Sequence, residues 1–129
     1  MYALDTNSII HFFKGMGGVA ERLLATPPRD LALPAIVLYE LEVGLTRSSG
    51  SARRSQLAEL VSVVAILPFA AEEAQAAAKV RAQLEAFGTP IGPLDTLIAG
   101  TALHHGATLV THNTREFRRV DGLKIEDWF

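Results

Sequence analysis

The sequence predicts an α/β domain, a mostly parallel central sheet flanked by helices. Three observations carry this. Its short apolar runs are continuous rather than alternating, the pattern of strands buried on both faces. Helical spacing of apolar residues separates one run from the next, as in parallel sheets with helical crossovers. And 49% of the 129 residues are hydrophobic, enough to bury roughly two-thirds of the surface an unfolded chain exposes.

The elements follow in order. Tyr2 to Leu4 is a strand, and a helix through Ile9, Ile10, Phe12 and Phe13 stops near the glycines at 15, 17 and 18. Leu31-Ala32-Leu33 reads as a buried strand, and Pro34 as helix position N1, since its fixed φ suits a first turn. That helix runs to about Leu45, and Ser48 to Ser51 is a loop. A helix from Arg53 to about Val61 hands over to a strand, Val63 to Leu67, ended by Pro68. Ala70 to Phe87 is the clearest helix, rich in strong helix formers, with Val80, Leu84 and Phe87 on one stripe and Gly88 at its cap. Pro93 opens a helix from Leu94 to His105, closed by Gly106. Ala107 to Val110 reads as a fully buried strand, and Leu123 to Ile125 as the last one. No repeat or linker interrupts this order, so residues 1–129 are expected to form one domain.

Composition narrows the function classes. Twelve Lys+Arg against 14 Asp+Glu give a net charge of −2, which argues against holding nucleic acid mainly through a basic face. It leaves open a metal-dependent enzyme that acts on one. The absence of cysteine excludes disulfides, thiolate zinc sites and redox motifs. The longest nearly apolar run, Leu60 to Ala71, has 12 residues, where a membrane span needs about 20. Met1 to Asp5 shows neither a basic segment nor an apolar leader. A cytoplasmic protein with no membrane contact is expected.

In open α/β sheets ligands bind beyond the carboxyl ends of strands, and several acids and amides fall there. Asp5 directly follows the first strand, where it could equally cap a helix. Asp95 shares a helical face with Ile98, Ala99 and Ala102; a carboxylate so placed needs a partner, though a first-turn acid also suits the helix dipole. Glu40 and Glu42 both lie on a mostly apolar helix, and periodicity leaves open which points inward. Asn113 follows the Ala107–Val110 strand, as a site residue or a turn, and Glu116 comes three residues later, where spacing alone suggests a solvated charge. Acids converging at one sheet edge repel unless a cation neutralises them, and an all-oxygen set suits Mg²⁺ or Mn²⁺.

The same residues resemble the PIN domain, and within it the VapC-type ribonuclease toxins of VapBC toxin–antitoxin pairs. The resemblance covers nearly the whole chain. It is carried by Leu4-Asp5-Thr6-Asn7, by Tyr39-Glu40-Leu41-Glu42-Val43-Gly44, by Pro90 through Ala99 with Asp95 at its centre, and by Leu109 through Phe117. Val120 through Trp128 also looks like the close of such chains. The resemblance implies a three-layer α/β/α PIN-like fold and a Mg²⁺- or Mn²⁺-dependent endoribonuclease. Asp5, Glu40 and Asp95 would be the metal-site acids, which selects Glu40 over Glu42. Asn113 would orient a carboxylate or water, Glu116 would serve as a fourth acid, and Thr6 would support the site through its hydroxyl. Metal-activated water would attack the phosphodiester in line and leave 5′-phosphate and 3′-hydroxyl ends. The family further implies tRNA as substrate, a homodimer, a VapB-type antitoxin as partner, and operator DNA contacted only through that antitoxin.

Arg115, Arg118 and Arg119 flank the last motif and could hold RNA phosphates or form a solvated basic turn. His104 and His105 suit the negative end of a helix dipole rather than metal ligation, and His11 and His112, with no partner at metal-ligand spacing, read as structural or surface residues. Rival functions are a binding-only PIN module acting through its antitoxin in transcriptional autoregulation, and a metal-dependent DNA nuclease. A haloacid-type phosphatase would need an acid where Asn7 stands.

Overall fold

The computed structural model describes residues 1–47 and 50–129. Five strands, β1 (Tyr2–Leu4), β2 (Leu31–Pro34), β3 (Ala65–Leu67), β4 (Thr108–Val110) and β5 (Ile125–Glu126), form one sheet in the order β3-β2-β1-β4-β5. Every pairing is parallel, with Ala3 opposite both Ala32 and Leu109. The helices are α1 (Thr6–Lys14), α2 (Val19–Leu24), α3 (Ala35–Thr46), α4 (Ser51–Val63), α5 (Ala71–Ala86), α6 (Pro93–His104) and α7 (Thr114–Phe117). From β1 the chain steps outward to β2 and β3, then returns across the sheet to β4 and β5. Right-handed crossovers therefore put the helices before β3 on one face and those after it on the other. The direction changes between β1 and β4, and a crevice opens at their carboxyl ends.

The core explains the apolar runs. Ala3, Leu4, Ala32, Leu33, Leu109 and Val110 are fully or almost fully buried, and Ile9, Val37, Ile98 and Phe117 pack against them. α5 and α6 pack most closely of all: a Cβ on Gly100 would lie 2.5 Å from the Ala77 backbone. Gly106, with φ +62°, turns the chain out of α6 into β4.

Several expected boundaries shift. Pro34 is the last residue of β2 and the N-cap of α3 rather than its first helical residue. The apolar stretch at 63–67 divides differently, since Val63 ends α4 and Val64 caps it; continuous apolar residues do not reveal where a helix yields to a strand. α2 was not anticipated, being only 6 residues long and following closely on glycines. Phe87 is 76% exposed, not on the buried stripe of Val80 and Leu84. It lies at the C-cap, where helical periodicity no longer aims the side chain. The final strand pairs through Ile125 and Glu126, and Thr108 is only half-buried. Of the expected loop at Ser48 to Ser51, residues 48 and 49 lie outside the described residues and Ser51 begins α4. No helix among the described residues is long and apolar enough to cross a membrane.

Candidate metal centre

The crevice between β1 and β4 gathers acids from separate elements. Asp5, Thr6, Asn7, Glu40, Asp95, Ile98 and Asn113 line a cavity of about 90 Å³. Asp5 is 5% exposed and both caps α1 and faces the cavity. Its Oδ1 accepts the Ser8 N–H at 2.9 Å, and its own N–H donates to Val110 O at 3.1 Å, tying the end of β1 to β4. Burial pushes its carboxyl above the usual range, while hydrogen bonds from Thr111 and Ser8 pull it back.

Glu40 comes from α3, and its Oε1 accepts the Thr6 hydroxyl at 2.7 Å. Glu42 turns away to meet Arg54 of α4 at 3.5 Å. Two residues on a helix differ by about 200° in azimuth, so only one can face the crevice. Asp95 sits in the first turn of α6. Burial first, then the charges of Glu116, Glu40 and Asp5, push its carboxyl up to about 6.

Asn113 holds the N-cap position of α7 but makes no side-chain cap bond. Instead its Nδ2 donates to Glu116 Oε2 at 3.2 Å. The Thr111 hydroxyl accepts the Asn113 N–H at 3.0 Å and is among the groups that lower the Asp5 carboxyl. Sequence reasoning passed over Thr111 and Ser8, although a hydroxyl directly after a buried strand was the available signal. Arg115 and Arg118 are exposed outside the cavity, and Arg119 donates to Pro90 O at 3.2 Å. His112 pairs with Asp127 at 3.0 Å and stacks on Phe129, with His11 against both rings.

Mutually repelling carboxylates in a small polar cavity are the arrangement a hard divalent cation neutralises, and carboxylate and amide oxygens are the donors it prefers. The PIN domain profile matches residues 2–123. The chain belongs to the PIN-domain family. PIN domains are a metal-dependent nuclease fold, and the relatives of this one are ribonucleases. It is 35% identical over 128 residues to the tRNA(fMet)-specific endonuclease VapC of Shigella flexneri, covering 98% of this chain and 97% of that one. The Salmonella typhimurium protein of the same name is 36% identical over 129 residues, with the same coverage. Among solved structures, VapBC2 from Rickettsia felis bound to a DNA fragment from its promoter superposes with a TM-score of 0.91 at 33% identity, covering 99% of this chain and 98% of that one. FitAcB from Neisseria gonorrhoeae gives a TM-score of 0.87 at 27% identity, covering 98% and 97%.

Proposed function

We propose that this PIN domain, residues 1–129, is the toxin of a type II toxin–antitoxin pair and cleaves tRNA with Mg²⁺ or Mn²⁺. The observation that carries this is the meeting of Asp5, Glu40 and Asp95, from three elements far apart in sequence, in one small cavity. These three would hold the cation. Once bound, it supplies an activated water for in-line attack and neutralises charge on the leaving 3′ oxygen. Thr6 fixes the Glu40 carboxylate, and Asn113 holds Glu116 at the rim as a further acid. Arg115, Arg118 and Arg119 lie on the α7 side of the crevice, where RNA phosphates would pass.

The name of the enteric relatives supports tRNA, with tRNA(fMet) the first to test. Complexes such as VapBC2 support a VapB-type antitoxin as partner and operator DNA reached through it. A homodimer is part of the same reading, and two apolar grooves of about 600 and 520 Å³, lined by Ile91 and Leu97 and by Leu24 and Val63, are where substitutions would test partner contacts. All of this chemistry belongs in the cytoplasm.

The test is incubation of antitoxin-free protein with total tRNA in Mg²⁺, beside Asp5→Asn and a chelator control. Discrete fragments with 5′-phosphate and 3′-hydroxyl ends, absent from both controls, are expected. A 2′,3′-cyclic phosphate would overturn the mechanism, because it marks attack by the ribose hydroxyl. Loss of tRNA affinity with intact metal affinity in an Arg118→Ala/Arg119→Ala protein would assign the arginines to phosphate binding.

A further inference from the structure

At the other end of α6 a second group of metal-binding side chains comes together. His104 and His105 close the helix, nine and ten residues after Asp95, so about 14 Å along its axis from that residue. Facing them are Glu72 and Glu73 from the first turn of α5. His104 Nε2 lies 2.8 Å from Glu72 Oε2, and His105 Nε2 lies 2.7 Å from Glu73 Oε2. One donor atom from each of Glu73, His104 and His105 falls within 4.8 Å of the other two.

We propose that Glu73, His104 and His105, completed by Glu72 or water, form a second cation site, selective for a zinc-class ion, that fastens the start of α5 to the end of α6. The donor chemistry separates it from the cavity at Asp95. Two imidazole nitrogens with carboxylate oxygens favour Zn²⁺, Co²⁺ or Ni²⁺, whereas an all-oxygen set favours Mg²⁺ or Mn²⁺.

The site is organised beyond its donors. Glu73 is 3% exposed, and its Oε1 accepts the Ala70 N–H at 2.9 Å, which leaves Oε2 toward His105. That bond fixes the carboxylate, as hydrogen bonds to metal ligands do. The two rings stand edge to face, with centroids 5.0 Å apart. Donors around a tetrahedral zinc lie about 3.3 Å apart; those of Glu73, His104 and His105 now lie within 4.8 Å of one another, with 2.7 Å between His105 and Glu73. Side-chain rotation would close the difference, and the exposed Glu72 leaves a path from solvent.

The experiment is a Zn²⁺ titration of the chelator-stripped full chain in excess Mg²⁺, followed by calorimetry and thermal unfolding, with Co²⁺ as the coloured probe. One equivalent of Zn²⁺ bound at micromolar concentration, an upward Tm shift and visible Co²⁺ absorption are expected, unchanged in Asp95→Asn. His105→Ala and His104→Ala should each weaken binding at least about tenfold. Histidine NMR of the wild type keeps the test independent of variant folding: Zn²⁺ should move the ring nitrogens of His104 and His105 and leave those of His11 and His112 in place. Failure to bind zinc at micromolar concentration, loss of uptake in Asp95→Asn, or a response at His11 and His112 instead would overturn the proposal. None of these readouts depends on RNA cleavage, so the proposal and the ribonuclease reading can fail separately.

Discussion

At the start of α6, Asp95 faces Glu116, Glu40 and Asp5, and none of these four makes an ion pair among the described residues. At the end of the same helix, each carboxylate meets an imidazole within 2.8 Å. The first cluster destabilises the metal-free fold and the second supports it. One helix thus carries paired carboxylates at one end and unpaired ones at the other. In the function proposed above, a cation would supply the charge the unpaired acids lack.

The largest effect should come from removing one of those acids. Asp95→Asn or Asp5→Asn should lower tRNA cleavage at least about 100-fold, while metal-free Asp95→Asn should gain on the order of 1 kcal/mol in denaturant unfolding, a figure reduced for solvent screening. The sign follows from a carboxyl raised from 3.8 to about 6. The folded state holds that proton more tightly than the unfolded chain, so the contribution is full below 3.8 and disappears as pH rises through 6. Mn²⁺ affinity should correspondingly weaken as pH falls below about 6. Equal stability of the wild type and Asp95→Asn across that window would remove the contrast between the two ends.

Next is the contact that joins them. Gly100→Ala pushes a methyl to 2.5 Å from the Ala77 backbone, and a cost of roughly 1–3 kcal/mol is expected in chemical denaturation. A neutral result would show that α5 can slide on α6.

Glu73→Gln should lower the thermal midpoint slightly by weakening the cap at Ala70 and the pair with His105, with metal-dependent cleavage unchanged. Because the Glu73 carboxyl is lowered, its contribution is present above its ordinary value of 4.5 and is lost as pH falls through its folded value. Acid therefore acts in opposite directions on the two ends of α6. The smallest effect should be at the rim. Asn113→Ala frees Glu116 and should reduce cleavage about tenfold with little change in stability, as measured by kinetics beside thermal unfolding.

Much of this was legible in the residues. Continuous apolar strands, the proline at 93 and the glycines at 88 and 106 placed most elements to within a few residues, because local backbone preference and burial pattern act over short spans. Asp5, Asp95 and Asn113 could be picked out because each interrupts or ends an apolar element. Glu40 could not be separated from Glu42 by periodicity, since both have apolar neighbours on α3, and only the resemblance chose between them. The structure shows the difference as Thr6 on one and Arg54 on the other. His104 and His105 looked like ordinary helix-end residues because Glu72 and Glu73, which meet them, are about thirty positions earlier.

By itself the sequence determined the α/β class, the order of all its main elements but α2, and a set of candidate acids, all properties encoded in near neighbours or in motifs. The tertiary structure alone decided which carboxylates share a cavity and which find an imidazole. The shared cavity depends on the order β3-β2-β1-β4-β5, which returns the chain across the sheet and sets Asp95 and Asn113 beside Asp5 and Glu40. The imidazole pairs depend on how α5 packs against α6.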